Sequence, residues 1–500
     1  MVATAKIQEE QPNEPTNEPR DSGKWWTLLG VGIGMFLFGL EIYIVNLALP
    51  MLVELFNTNF AMIQWIAISY VLTLTVFVLG AARLGDMYNK KWLYLGGLIL
   101  FTISSLLCGF APTVNFLLVF RTLQGLGAVF MSALGTAIIT EVFPKEERGR
   151  ALGILNGIFT LGIALGPGIG GLLIGFVGWR FIFWMNVPIG LIACLIVAFA
   201  VPSSDSKEVA SNVSKFDVIG AVLMTVTLTC LTIAVTQLQN SSFDSLTELI
   251  VLVVAAVGLG CFLVVESRVS EPILDLEMFR SLEFSLSLLL GWMVFIIIGA
   301  LQLLLPFFLD LIKHYPPQLA GFLLTVLPMS SALMAPLAGT LSDRFGERII
   351  SLIGLLLMVF GCWTISTLDT SSLALGFVVR VLPLRLGLEM FFSSNNSAVM
   401  GAVPRERLGI ASGLLSLSRS LGLTTGVSLM GVLFSTLTIA SADLAPNTDV
   451  TNAPVEGLVF GFDTTFRVTA LIAIASIILV TVIWWLEQRK VHNNRESTCQ

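Results

Sequence analysis

The stretch Ala82-Arg83-Leu84-Gly85-Asp86-Met87-Tyr88-Asn89-Lys90-Lys91 lies between two long apolar runs, and it recurs far downstream as Gly339-Thr340-Leu341-Ser342-Asp343-Arg344-Phe345-Gly346-Glu347-Arg348. Both copies read small-x-Leu-small-Asp-x-aromatic-Asn/Gly-charged-basic, with the two Asp 257 positions apart. Asn89 stands where the second copy has Gly346. Both residue types tolerate the left-handed backbone of a tight turn, which is the conformation expected at both places. A second echo has nearly the same offset: Pro144-Lys145-Glu146 through Gly149, Ala151 and Gly153 matches Pro404-Arg405-Glu406 through Gly409, Ala411 and Gly413, shifted by 260. Two matches in the same order at almost one offset point to an internally duplicated architecture.

The 500-residue chain is 55% hydrophobic and 12% charged. A soluble domain is about 25% charged, so the solvent of this chain is largely lipid. Crossing ~30 Å of hydrocarbon takes about 20 mostly apolar residues. Fourteen runs of that kind are read from the sequence, near 25–50, 61–82, 92–112, 115–137, 151–174, 180–200, 216–237, 247–266, 281–309, 319–341, 348–367, 372–402, 408–437 and 465–486. With the N-terminus in the cytoplasm and loops alternating, the inner segments hold twenty Lys and Arg and the outer segments two, Arg180 and Lys313. That asymmetry supports the span count and the orientation, with both termini cytoplasmic; a multi-pass cell-membrane location is expected. The expected fold is an all-α polytopic bundle with a disordered cytoplasmic tail at 1–24, six spans over 25–200, two extra spans over 201–280, six spans over 281–486, and a cytoplasmic tail at 487–500. The polar start of the chain does not resemble a signal peptide, so the first apolar run is expected to remain as a membrane helix.

Catalytic and metal chemistry finds little footing in the sequence. There is no Cys-x-x-Cys, no Cys/His cluster and no Walker sequence, and His314 and His492 are the two histidines. A metal site, a disulfide framework, a cofactor, ATP hydrolysis and a nucleic-acid partner are therefore not expected.

The motifs of the first half complete the pattern. They are the 82–91 loop; Arg121-Thr122-Leu123-Gln124-Gly125-Leu126-Gly127; Gly162 through Gly166-Pro167-Gly168-Ile169-Gly170-Gly171; Trp179-Arg180-Phe181-Ile182-Phe183-Trp184-Met185-Asn186-Val187-Pro188; and Leu40-Glu41-Ile42-Tyr43-Ile44-Val45-Asn46-Leu47-Ala48-Leu49-Pro50. In this order the chain resembles the major facilitator superfamily, specifically its fourteen-span drug:proton antiporter branch (EmrB/QacA type). The resemblance covers nearly all of the chain apart from the tails. It implies two six-helix bundles around a central cavity, proton-coupled antiport and export of small amphipathic or cationic compounds. It implies a carrier and not an enzyme, acting as a monomer on small molecules and protons, with a periplasmic adaptor only in a double-membrane bacterium. Export of an endogenous metabolite, such as a lipid-like product or a siderophore, is the alternative within transport. A transport-inactive membrane sensor or scaffold, and a uniporter without ion coupling, are the alternatives beyond it.

Particular residues carry these expectations. Glu41 lies about 13 Å from Pro50 and Arg121 about 9 Å from Asn115 along oppositely directed helices, so the two charges share a depth. An intramembrane charge costs at least ~2.5–3.5 kcal/mol on insertion scales and needs a partner. Glu41 is then either a proton carrier tuned by Arg121 or half of a permanent ion pair. Glu has a longer arm than the Asp usual in the family at this place, and Tyr43 stands where Thr is usual. On the twelfth span Arg385 and Glu389 are spaced i, i+4, followed on that side by Phe392 and Asn396. They either neutralise each other or offer Glu389 as a second acidic site in the cavity. Asn46, Gln124, Arg385, Asn395 and Asn396 are the candidate cavity groups. Gly162, Gly166 and Gly170, with Pro167 and Gly171, form a smooth stripe read either as ordinary close packing or, by resemblance, as the antiporter hinge. Arg83, Asp86 and Lys91, with Asp343, Arg344 and Arg348, are either cytoplasmic charge latches or solvated turn charges. Arg419 and Arg467, the latter four residues after Asp463, are expected to pair structurally.

Overall fold

The computed structural model describes residues 21–202, scattered positions between 220 and 230, and residues 246–266, 276–403, 408–445 and 448–498. Among them the chain forms α1 (Asp21–Ile44), α2 (Leu49–Leu55), α3 (Phe60–Met87), α4 (Lys90–Phe110), α5 (Val114–Val142), α6 (Lys145–Phe176), α7 (Phe181–Trp184) and α8 (Asn186–Ala200). Then follow α9 (Leu246–Glu266), α10 (Leu282–Phe307), α11 (Pro317–Phe345), α12 (Glu347–Ser366), α13 (Ala374–Gly401), α14 (Leu408–Ser441) and α15 (Val455–Thr498). Eleven helical segments among the described residues are long and apolar enough to cross a membrane. α13 has the length but carries Arg380, Arg385 and Glu389 along its interior. The expected seventh span, 216–237, falls mostly outside the described residues, as do the first twenty residues of the N-terminal tail. The C-terminal tail is helical as far as Thr498, as a continuation of α15.

Local sequence explains the helix ends. Asn59 caps α3 by accepting the Met62 N–H at 2.8 Å, and Ser281 caps α10 by accepting from Phe284 at 3.4 Å. Both satisfy donors that a helix start leaves unpaired. Pro317 opens α11, where its missing N–H costs nothing. Inside the helices, many hydroxyls fold back onto carbonyls one turn earlier, as Thr102 does to Leu98 at 2.7 Å and Thr465 to Gly461 at 2.7 Å, which satisfies them without water.

The duplicated loop corrects one expectation. Gly346 has φ +92°, but Asn89 has φ −62°. Asn89 ends the loop by capping α4, its side chain accepting the Lys91 N–H at 3.0 Å. The same slot precedes a helix in both halves, reached at positive φ by Gly346 and capped by a side chain at Asn89.

Helices α1 and α3–α8 pack on one another, and α10–α15 on one another, with α6 against α11 and α3 against α14 joining the groups. The end at which α1 begins is called here the terminal side, and the other the distal side. On α6, Gly162 lies against the backbone of Phe36 and Leu40, and Gly166 against Leu40. A side chain at either position would strike main chain. Gly171, further along, meets Pro317 and Gly321 of α11. Five turns away on the same faces, among the described residues Gly153 has nothing within 4 Å of where a Cβ would stand, and Gly339 has only Ser393 Oγ at 3.8 Å. The α6–α11 seam is thus closed distally and open toward the terminal side. Outward faces carry large apolar side chains such as Phe199, Phe176 and Trp363, stable only where hydrocarbon replaces water.

Candidate functional site

Glu41 is on the last turn of α1, just before the helix gives way to a 3₁₀ turn at Val45–Leu47. It is 0% exposed, and Arg121 of α5 is 1% exposed. The Arg121 Nη1 donates to Glu41 Oε1, and Asn186 Nδ2 of α8 donates to the other carboxylate oxygen at 2.9 Å. Arg121 also donates from Nη1 to Gln124 Oε1 at 2.6 Å and from Nε to the Ile66 carbonyl at 3.2 Å. Gln124 in turn donates to Ser105 Oγ at 2.8 Å. The guanidinium carbon sits 4.4 Å from the Tyr70 ring centroid and 5.9 Å from that of Phe183. Residues of six helices, α1, α3, α4, α5, α7 and α8, therefore gather around one ion pair, and both carboxylate oxygens are satisfied. A charge pair this deep is tolerated only with such complete solvation by protein dipoles. Two acceptors or donors beside it lack partners: Asn186 Oδ1 and the Tyr70 hydroxyl, both buried.

The central cavity is next to this cluster and separate from it. Its cavity volume is about 40 Å3, and it is lined by Tyr43, Asn46, Pro167, Leu301, Gln302, Leu327, Pro328 and Arg385, among others. Its wall comes from both halves of the chain. Gln302 bridges them, donating from Nε2 to the Ile42 carbonyl at 2.8 Å, while its Oε1 is buried without a partner. Of the candidate cavity groups, Asn46 and Arg385 line this space. Gln124 does not: it is held behind Arg121 within the first bundle. Asn395 is buried with Oδ1 unpartnered, and Asn396 accepts a hydrogen bond from Arg419.

Arg385 and Glu389 do not close on each other; among the described residues no ion pair links them. Arg385 donates to Ser331 Oγ at 2.9 Å and toward the Leu327 carbonyl at 3.4 Å, both on α11. Glu389 also faces Ser331, within electrostatic reach of both Arg385 and Arg419. The i, i+4 spacing allows a pair, but a hydroxyl from the neighbouring helix intercepts it. Arg467 does bind Asp463, at 2.7 Å. Arg419 lies over the paired rings of Phe295 and Phe392, 5.9 and 5.6 Å from their centroids.

The loop charges are placed unevenly. The side chains of Arg83, Asp86 and Asp343 lie outside the described residues. Lys91 Nζ stacks 5.6 Å from the Trp92 ring, and Arg344 lies 5.5 Å from that of Phe345. Arg348 has an interaction partner. The ion pairs formed on this side include Lys90 with Glu141 at 2.6 Å and Lys24 with Glu147 at 2.8 Å.

Sequence reasoning missed Asn186, Tyr70, Ser331, Gln302 and Arg419 as members of these clusters. Asn186 had a signal, as the one amide inside an otherwise apolar motif. Arg419 also had one, being a lone charge within a span.

Comparison with known proteins agrees with this geometry. The sequence profile of the Major Facilitator Superfamily matches residues 31–314 and 284–498. The Multidrug resistance protein Stp of Mycobacterium tuberculosis (strain CDC 1551 / Oshkosh) is 34% identical over 406 residues, covering 81% of this chain and 75% of that protein. The Riboflavin transporter RibZ of Clostridioides difficile (strain 630) is 31% identical over 414 residues, 82% of this chain and 88% of that one. Among solved structures, a bacterial homolog of the human lysosomal transporter Spinster, inward-facing and unoccupied, superposes with a TM-score of 0.67 at 17% identity, covering 93% of this chain and 97% of that one. The chain therefore belongs to the Major Facilitator Superfamily, and it is a multi-pass membrane transporter of small molecules, not an enzyme.

Proposed function

We propose that this transporter is a proton-coupled antiporter that exports small amphipathic compounds from the cell, built as fourteen spans in a six-plus-two-plus-six arrangement with both termini cytoplasmic. The observation that carries the reading is the sealed Glu41–Arg121–Asn186 cluster, one helical turn from the cavity residues Tyr43 and Asn46. A carboxylate shielded from water and balanced by a guanidinium is poised between two protonation states. Protonation of Glu41 would release Arg121 and unlock α1 from α5 and α8. Because the cavity wall includes the α1 segment that follows Glu41, substrate arriving there acts on the same element. Glu389 is the second proposed proton site, and the Gly162–Gly171 stripe the proposed hinge between α6 and its neighbours. The names of multidrug-resistance relatives support export of foreign compounds. The riboflavin-transporting relative favours a second reading, movement of a planar metabolite.

The test is purified protein in proteoliposomes. Substrate-dependent proton release and efflux accelerated by an imposed pH gradient are expected. Glu41→Gln is expected to bind substrate and lose the acceleration. Efflux indifferent to the gradient would leave a uniporter, and absence of any efflux would leave a scaffold.

A further inference from the structure

The helix faces that form the central cavity continue past it. Phe295 lies two turns from Gln302 on α10, and Phe392 two turns from Arg385 on α13, each on the cavity-facing side. At 1.5 Å per residue, the pair sits about 10 Å from the cavity toward the terminal side. Their rings are 5.1 Å apart and tilted by 34°. Arg419 of α14 lies over both and donates to Asn396, one turn beyond Phe392. All four residues are partly exposed, and the α6–α11 seam is open on that side.

The charge balance of this route is positive. Arginine keeps its proton at all working pH values. Arg385 and Arg419 are two cations, and among the described residues Glu389 is the carboxylate within reach of both. Neither arginine forms an ion pair among the described residues. The first half of the chain brings Tyr43, Asn46 and Pro167 to the cavity, none of them charged. Arg419 thus has a neutral amide and two aromatic faces in direct contact, and shares the nearby Glu389 with Arg385. That is a surplus guanidinium with a flat apolar wall beside it.

Resting on the export reading above and naming its substrate class, we infer that Arg419, Phe295, Phe392 and Asn396 form an entry subsite for monoanionic aromatic compounds, with Arg385 receiving the same anion deeper in the cavity. The guanidinium fork pairs with a carboxylate or sulfonate, and the rings hold the planar body. Compounds of this class would be favoured over cations, in contrast to the cationic preference that the family resemblance implies.

The experiment is equilibrium binding to the full-length protein in detergent at neutral pH, with 2-naphthoate, its neutral amide and 2-naphthylmethylammonium as a matched set. Naphthoate is expected to bind about tenfold or more tightly than the amide, and the ammonium weakest. Arg419→Gln is expected to remove that advantage without changing amide binding. Asn396→Asp is nearly isosteric and gives Arg419 a carboxylate, so it is expected to strengthen the α13–α14 contact and reverse the order toward the ammonium. A purely structural Arg419 would leave the order unchanged in Asn396→Asp. That result, equal binding of anion and amide, or no naphthoate binding at millimolar concentration would each overturn the assignment. No pH gradient is involved, so loss of proton coupling with anion selectivity intact would refute the antiport reading alone.

Discussion

Asn186 Nδ2 donates to Glu41 Oε2 at 2.9 Å from 145 residues away in the chain, completing the solvation of a carboxylate that no water reaches. Replacing Asn186 with Leu leaves that oxygen without a donor beside the Arg121 pair. The expected loss is about 1–3 kcal/mol of stability, read as a lower melting transition in detergent. Asn186→Asp sets a second acid against Glu41 and is expected to lower it further at neutral pH than at acid pH, because protonating either acid relieves the repulsion.

Removing Glu41 tests the other side of the same cluster. Glu41→Ala strands Arg121 in a dry interior, at an expected cost of about 3–5 kcal/mol. Glu41→Gln keeps a hydrogen-bond acceptor and is expected to melt closer to the parent. Equal melting of the two variants would mean that the charge pair carries no part of the fold's stability.

The distal closure of α6 on α11 rests on two glycines facing each other. Gly321→Val drives a branched side chain into Pro167 and Gly171 backbone, and overpacking of this kind costs about 1–3 kcal/mol. Transport is expected to fall while the α1–α6 contact persists. Gly157→Val enters open space on α6, the other helix of the seam, and is the control, expected to transport normally.

Lys90 and Glu141 tie α4 to α5 at the terminal side, with Glu141 half exposed. An exposed pair contributes about 0–1 kcal/mol. Lys90→Ala is therefore expected to shift the melting transition little, and the shift should shrink in high salt.

Asp369, in the loop between α12 and α13, accepts hydrogen bonds from the Ser371 hydroxyl and backbone N–H and from the Ser372 hydroxyl, at 2.8, 3.1 and 2.8 Å. These donors, Ser371 first, hold its carboxyl below the usual range. Since the folded value is depressed, the stabilisation is present above the unfolded value of about 3.9 and is lost as pH falls through the folded one. Melting measured between about pH 5 and pH 3 should fall more steeply in the parent than in Asp369→Asn.

Much of the fold was legible because lipid imposes long apolar runs, and the repeated loop marks its own duplicate. The Glu41–Arg121 pair was legible too, since counting residues from the helix ends fixes depth. Rotation about the helix axis is not fixed that way. Arg385 and Glu389 look paired along one helix, yet Ser331 on another helix comes between them. Gln124 was read as facing the cavity and faces Ser105 instead. Arg419 and Asn186 acquire their neighbours only once three or more helices are packed, and no spacing within one helix announces that. Asn89 shows the same limit at a loop: its composition suits either a turn or a cap, and the following helix decides.

The hydrogen bond from Gln302 to the Ile42 carbonyl spans 260 residues, the distance by which the two halves of the chain repeat. To within a helical turn, Gln302 is touching the residue it duplicates. A point that meets its own image can lie only on the line about which the halves interchange. In the proposed two-bundle carrier that line is the natural fulcrum, so a pair of probes near residues 42 and 302 should hold a constant separation through the cycle while pairs at either rim swing apart and together.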